Sequence, residues 1–195
     1  MSNQDVQKLT DGNVMNTYAR FPIALVRGEG VRVWDADGKV YLDFVAGIAV
    51  NNLGHCHPAV AKAVTQQVQT LMHVSNLYHI EPQARLAKVL CEHSFADRAF
   101  FCNSGAEANE AAIKLARRYG SEQARGRVEI ITALNSFHGR TLATLTATGQ
   151  EKIRFGYDPL PSGFRYIPFN DLDAAVAAVD ERTAAFLVEP IQGEG

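Results

Sequence analysis

A turn of small and polar residues separates the apolar segment 98–102 from a helical pattern that runs to about Tyr119. Ser104 is a favourable N-cap, and Glu107 stands three residues later, which is the spacing of a capping box. Gly105 allows a ligand to approach the backbone closely. Because the first turn of a helix presents free N–H groups and the positive end of its dipole, this segment is typical of a phosphate site. An ordinary capped helix after a strand is the alternative interpretation.

Two more polar segments, 135–140 and 189–194, each follow directly after a predicted strand. The first contains an aromatic ring and a guanidinium, and the second contains two carboxylates. In a parallel sheet the carboxyl ends of the strands meet at one edge, and ligands bind there. We therefore expect all three segments to line one cleft, suited to a flat aromatic cofactor that bears a phosphate. Three unrelated polar loops are the alternative, since most such loops are polar for solvation alone.

Alternating strands and helices after Pro58 must position these segments. Residues 1–50 differ, because they predict a helix or tail followed by short strands at 23–26, 31–34 and 40–44. Repeated βα units with strands buried on both faces predict an α/β fold with a largely parallel sheet. Helices are predicted at 59–72, 82–93, 104–119, 141–148 and 171–179, and strands at 98–102, 128–133, 165–168 and 184–188.

Composition indicates a soluble globular protein, with 47% hydrophobic and 21% charged residues. The net charge of −2 predicts no basic surface for nucleic acid or an anionic membrane. The segment Met1–Thr10 lacks the pattern of a signal peptide, and the apolar run 44–50 is too short to span a bilayer. Three cysteines without metal-like spacing are typical of reduced thiols, so we expect a cytoplasmic protein.

The triplet His55-Cys56-His57 raises the question of a metal site, because its two imidazoles share one face of an extended segment. Two ligands do not complete a site, and no further cluster of histidine or cysteine is near in sequence. We therefore expect no metal here.

Four longer segments resemble class III pyridoxal-phosphate aminotransferases, in the order in which that family has them: 47–58, 101–112, 137–141 and 188–195. Within the family, the chain is similar to acetylornithine aminotransferases, also on Tyr18–Pro22 and Ser75–Tyr78. The resemblance implies the aspartate aminotransferase-like fold (fold type I of pyridoxal-phosphate enzymes). Residues 1–50 are then a segment of the small domain, and residues 51–195 are the first part of the large cofactor-binding domain.

Pyridoxal 5′-phosphate is the cofactor that the resemblance implies. Ser104 and the N–H groups of Gly105 and Ala106 would bind its phosphate, although many relatives have threonine in place of Ala106, so one hydroxyl donor is absent. Phe137 would stack on the pyridine ring, and His138 would lie beside it in the cofactor site.

The resemblance also assigns substrate-binding residues. Arg140 would bind the carboxylate of the amino donor through its planar guanidinium. Glu189 would lie near the substrate and that arginine, and Glu194 would pair with a later arginine so that the site alternates between two substrates. Ile48 stands where ornithine aminotransferases have a tyrosine that contacts the free amino acid head, although 4-aminobutyrate enzymes share an aliphatic residue there.

The implied activity is transfer of the amino group of N-acetylornithine to 2-oxoglutarate in arginine biosynthesis, by a homodimer. Donors such as ornithine, succinylornithine, succinyldiaminopimelate or 4-aminobutyrate are alternatives, and so is a non-catalytic binding or assembly fragment. The resemblance places the Schiff-base lysine and the acid that protonates the pyridine nitrogen after Gly195. We therefore expect a truncated, inactive chain with no catalytic residue among these 195.

Overall fold

The computed structural model describes residues 1–123 and 126–195. By its contacts the chain divides into two compact units, Met1–Ile80 and Glu81–Gly195. The domain boundary that the family resemblance implies after residue 50 stays a prediction.

The first unit is built on an antiparallel sheet in the order β1-β2-β3. Its strands are β1 (Leu25–Glu29), β2 (Arg32–Asp35) and β3 (Val40–Leu42). Asp35 is almost fully buried and accepts hydrogen bonds from the N–H groups of Asp37 and Lys39 and from the Tyr41 hydroxyl. One carboxylate therefore closes the turn between β2 and β3 and satisfies its donors.

Three helical segments complete this unit: α1 (Asn3–Asn13), α2 (Ala46–Ala49) and α3 (Pro58–Thr70). Helix α1 begins with a capping box, in which Ser2 Oγ accepts the Asp5 N–H and Asp5 Oδ2 accepts the Ser2 N–H. Helix α3 begins at Pro58, whose missing N–H costs nothing in the first turn.

The short segment α2 is a left-handed turn. Its four residues have φ angles of 50° at Ala46, 66° at Gly47, 58° at Ile48 and 59° at Ala49. Left-handed helical geometry costs L-residues about 1–2 kcal/mol each, because Cβ crowds the following carbonyl oxygen. The β-branched Ile48 is the least tolerant of the four. Contacts around the turn must therefore hold it in place.

The second unit contains a parallel sheet in the order β5-β4-β6. Its strands are β4 (Glu129–Ala133), β5 (Phe164–Ile167) and β6 (Thr183–Leu187). Its helices are α4 (Glu81–Glu92), α5 (Gly105–Glu122), α6 (Leu142–Ala147), α7 (Glu151–Arg154) and α8 (Leu172–Ala178).

The core lies between the central strand β4 and the helices α5 and α6. Ile113 of α5, Ile130 of β4 and Ala147 of α6 are buried and pack together. The segment after α6 returns along β4, since a Cβ on Gly149 would lie 2.1 Å from the carbonyl oxygen of Ala133. Close approach at this glycine therefore brings α6 and the loop before it against the end of β4.

The predicted helices and strands are confirmed within a few residues, with one exception. The strand predicted at 98–102 is wrong, because those residues belong to no strand or helix. A strand requires a neighbour that pairs its N–H and C=O groups. In the part of the chain that the structure describes, β4, β5 and β6 pair only among themselves. Within the described ranges 1–123 and 126–195, no helix is long and apolar enough to cross a membrane.

Candidate functional site

Helix α5 begins with an exposed first turn. The N-cap Ser104 has extended geometry, with φ −153° and ψ 161°, and its Oγ accepts the Glu107 N–H at 3.1 Å. Ser104 and Gly105 are exposed, and a Cβ on Gly105 would meet nothing within 4 Å. The N–H groups of Gly105 and Ala106 belong to the first turn, where no helical carbonyl is available to them. This helix start is therefore open to an anion.

The reciprocal half of the predicted capping box is absent, which corrects one expectation. Glu107 does not bond the Ser104 N–H; its Oε2 accepts the N–H of Asn103 at 2.9 Å, one residue further back. Its Oε1 also accepts a hydrogen bond from the Asn103 amide. These donors hold the pKa of Glu107 below its usual value, with the Asn103 side chain as the largest contribution. The Ser104 hydroxyl also donates to Glu107 Oε2, at 3.3 Å, so the carboxylate lies beside the N-cap residue and the turn before the helix.

The loop that follows β4 packs directly against the first turns of α5. Gly139, with φ 134°, lies so close that a Cβ there would be 3.0 Å from Ala106 Cβ. The Asn109 amide donates to the carbonyl of His138 at 2.7 Å, and the Thr141 hydroxyl donates to Glu110. The predicted association of the 135–140 segment with the start of α5 is therefore confirmed.

The loop after β6 joins the same group. The Phe137 N–H donates to Glu189 Oε2 at 3.1 Å, and Glu189 Oε1 accepts the Gly193 N–H at the same distance. The Gln192 amide donates to the carbonyl of Leu134 at 2.7 Å. All three polar segments therefore lie side by side. The two that follow β4 and β6 do so as the rule for parallel sheets predicts, whereas the start of α5 follows no strand and is placed by its contacts with the loop after β4.

His138 is buried beneath this loop, in a network of hydroxyl groups. The ring Nε2 lies 3.0 Å from Thr132 Oγ1 on β4. The backbone N–H of His138 donates to Thr148 Oγ1 at 2.9 Å. Burial lowers the pKa of His138, partly offset by the charge of Glu189 and by a hydrogen bond to the Leu187 carbonyl. Burial therefore favours the neutral ring, which faces the sheet, while the backbone carbonyl of His138 accepts from Asn109 of α5. Its assignment to the cofactor stays a prediction.

The remaining predicted site residues are exposed. Arg140 follows Gly139 in the loop that packs on α5, and Glu194 lies in the loop after β6. Ile48 belongs to the first unit, on the left-handed turn, with 87% of its surface exposed. The roles proposed for these three side chains stay predictions.

The histidines of the His-Cys-His triplet have different surroundings. His55 Nε2 donates to Asp43 Oδ2 at 2.7 Å, whereas His57 is the N-cap residue of α3. The Asp43 pKa lies below its usual value, chiefly because of that bond and then because of the N–H groups of Ala46 and Val45. Among residues 1–123 and 126–195, no group of three His, Cys, Asp or Glu side chains is arranged to hold a metal ion.

Sequence reasoning missed the residues that support the site. Asn109 and Glu110 lie on α5, Thr148 Oγ1 accepts the backbone N–H of His138, and Ser136 Oγ accepts the Gly149 N–H at 3.0 Å. The partners of the two helix residues are distant in sequence: Asn109 and His138 are 29 residues apart, and Glu110 and Thr141 are 31 apart. The local signal that Asn109 and Glu110 offer is a polar residue on the inward side of a helix start.

The chain is similar in sequence and in fold to known proteins. The family model of the class-III aminotransferases matches residues 14–195. The acetylornithine aminotransferase of Caldanaerobacter subterraneus is 60% identical over 93% of the chain, and that of Methanothermobacter thermautotrophicus is 51% identical over 100%. The ornithine aminotransferase structure from Toxoplasma gondii is 31% identical and covers 99% of this chain and 47% of its own, with a TM-score of 0.94. The acetylornithine aminotransferase structure from Elizabethkingia anophelis, also 31% identical, covers 100% and 46%, with a TM-score of 0.80.

The chain spans about half the length of the curated relatives it matches, since it covers 47% of the Caldanaerobacter protein and 49% of the Methanothermobacter protein. The matches run through both units and include all three polar segments. The α/β fold predicted from the sequence is therefore confirmed.

Proposed function

We propose, on the premise that this chain belongs to the class-III aminotransferases, that the whole protein transfers the amino group of N-acetylornithine to 2-oxoglutarate. The observation that carries the donor is the 51–60% identity to proteins named acetylornithine aminotransferases, across nearly all of the chain. Arginine biosynthesis in the cytoplasm is the corresponding setting. Ornithine is the second candidate donor, favoured by the fold similarity to the Toxoplasma ornithine aminotransferase.

Enzymes of this family carry pyridoxal phosphate, and the residues at the start of α5 fit it. The first turn is exposed, its N–H groups are directed out of the helix, and the carboxylate of Glu107 is bonded to Asn103 and to the Ser104 hydroxyl. The N–H groups of Gly105 and Ala106, with the Ser104 hydroxyl, would hold the phosphate. Bound pyridoxal phosphate supplies an electron sink for the carbon that exchanges its amino group.

The neighbouring loop would hold the ring and the donor. Phe137 would pack its ring on the cofactor, in a position set by the bond from its N–H to Glu189. Arg140 would bind the donor carboxylate with two parallel hydrogen bonds. Neutral His138 stays below the loop and supports it through Thr132 and Thr148. Glu194 would contact the substrate from the loop after β6. Ile48, in the first unit, would also contact the donor, and its aliphatic side chain favours a donor that needs no polar partner there.

A homodimer is the assembly that we propose. Several large apolar side chains are almost fully exposed in the described residues, among them Phe44 at 92% and Phe155 at 86%. Apolar surface of this kind is usually covered by another part of the protein or by a partner. Analytical ultracentrifugation of the full-length protein tests the proposal; a monomer at micromolar concentration contradicts it.

The activity is tested on the full-length protein that carries this chain, because the chain spans about half of its relatives. The holoenzyme is assayed with 2-oxoglutarate and each donor in turn: N-acetylornithine, ornithine, succinylornithine and 4-aminobutyrate. The highest kcat/KM is expected with N-acetylornithine. A higher kcat/KM with another donor would assign the protein a different substrate within the same family. Absence of transfer from every donor would support a non-catalytic role.

A further inference from the structure

We infer that Asp43 and His55 are positioning residues for the amino donor, because together they hold the left-handed turn that presents Ile48. The inference rests on the proposed function, in which Ile48 contacts the donor. It also gives a role to the first histidine of the His-Cys-His triplet.

The turn needs external support. Four successive residues, Ala46 to Ala49, have positive φ, and only Gly47 adopts such angles without strain. Strained backbone persists only where the surrounding structure determines it. Ile48 is 87% exposed, so packing of its own side chain contributes little to its position. The backbone of the turn therefore decides where Ile48 lies.

Asp43 supplies that support at the beginning of the turn. Its Oδ1 accepts the N–H groups of both Val45 and Ala46, each at 2.9 Å. These are the donors where the chain enters the turn. The turn then closes on itself, since the N–H groups of Val50 and Asn51 both donate to the Ala46 carbonyl, at 2.9 and 2.8 Å. Loss of the Asp43 carboxylate leaves the entry to a strained segment without its acceptor.

His55 fixes the other oxygen of that carboxylate. Its Nε2 donates to Asp43 Oδ2 at 2.7 Å. The His55 backbone exchanges two hydrogen bonds with Gly30, at 2.9 and 2.8 Å, which anchors it to the β1–β2 hairpin. A Cβ on Gly28 would lie 2.6 Å from His55 Cγ, so the ring rests directly on β1. A continuous set of contacts therefore runs from the antiparallel sheet through His55 and Asp43 to the turn.

The two oxygens of Asp43 have separate roles, and substitutions separate them. Asp43→Asn retains an Oδ1 for the two N–H groups but loses the charge that His55 faces. Asp43→Ala removes both. His55→Ala leaves the N–H groups capped but frees the carboxylate to move. Glu29→Gln is the matched control, because it removes an exposed acid from the same unit, one that pairs with Arg27 and not with the turn.

Two measurements on the full-length holoenzyme test the inference. The first is kcat and KM for N-acetylornithine and for ornithine, with cofactor occupancy from absorbance. The second is hydrogen exchange of the Val50 and Asn51 amides, which needs no activity. For Asp43→Ala we expect a fall of about 10- to 100-fold in kcat/KM for N-acetylornithine, a smaller preference over ornithine, unchanged cofactor occupancy and faster exchange at both amides. Asp43→Asn and His55→Ala are expected between Asp43→Ala and wild type.

The possible results separate this inference from the proposed function. If the wild-type enzyme transfers no amino group from N-acetylornithine, the proposed function fails, while amide exchange still shows whether Asp43 holds the turn. If exchange at Val50 and Asn51 is unchanged in Asp43→Ala, the positioning role is overturned. It is also overturned if exchange accelerates in a folded, cofactor-loaded Asp43→Ala enzyme whose donor preference equals that of wild type and of Glu29→Gln.

Discussion

The backbone N–H of Phe137 donates to Oε2 of Glu189 at 3.1 Å, across 52 residues of sequence. The other oxygen of the same carboxylate accepts the N–H of Gly193. One side chain therefore couples the loop after β4 to the loop after β6, and these two loops contain most of the proposed substrate and ring contacts. Glu189 thus has a positioning role in addition to any contact with substrate.

Removal of the Glu189 carboxylate is expected to loosen the Phe137 loop. Glu189→Ala loses both acceptors, at a cost of about 1.5–3 kcal/mol for a hydrogen bond to a charged group. Glu189→Gln keeps one oxygen and is expected to lose less. Hydrogen exchange at the Phe137 amide measures the effect, with exposed Glu194→Ala in the same loop as the control. Equal exchange in Glu189→Ala and wild type would exclude the coupling.

Substitutions of Phe137 and Arg140 are expected to fail in different ways. Phe137→Ala in the full-length protein removes the stacking ring and is expected to raise the Kd of the cofactor. Arg140→Ala is expected to weaken use of the donor, by about 2–5 kcal/mol in kcat/KM if the bound donor buries the charged pair between Arg140 and its carboxylate. Cofactor titration and steady-state kinetics separate the two. Normal kcat/KM with reduced cofactor occupancy in Arg140→Ala contradicts its assignment.

Stability is expected to fall as the pH drops below about 6.5, through the buried His138. Its pKa in the folded protein is lowered, so the unfolded chain binds the proton more readily. The contribution of the neutral ring is therefore complete above the unfolded pKa and is lost as pH falls through the folded one. Denaturant unfolding between pH 8 and pH 5 measures this slope, in wild type and in His138→Gln. The same slope in both proteins assigns it to other groups.

Substitution by alanine is expected to change the stability of the fold in opposite directions at Gly149 and Gly12. A Cβ on Gly149 meets the Ala133 carbonyl of the central strand at 2.1 Å, so Gly149→Ala is expected to destabilise the fold by about 1–3 kcal/mol. Gly12 lies in α1 with nothing within 4 Å of an added Cβ. Gly12→Ala is expected to stabilise by about 0.5–1 kcal/mol, since alanine favours the helix. Thermal unfolding of the two variants checks both signs; destabilisation by Gly12→Ala would contradict the second.

Local chemistry was sufficient for most of the elements. Helical periodicity with Pro58 placed the start of α3, and Ser104 placed the start of α5. Apolar runs placed β4, β5 and β6 within one or two residues. The strand predicted at 98–102 failed because apolar content indicates burial, whereas a strand also requires a paired neighbour.

By itself, the sequence determined the α/β class, the three polar segments and the family resemblance, because caps, periodicity and short motifs are properties of adjacent residues. Only the tertiary structure decided how these residues are held. The bond from Phe137 to Glu189, the inward turn of His138 toward Thr132, and the pair formed by Asp43 and His55 each join residues from separate segments. The tertiary structure also decides the left-handed geometry of Ala46–Ala49, because three of these four residues disfavour positive φ. Such contacts follow from the folded path of the chain, which no single segment encodes.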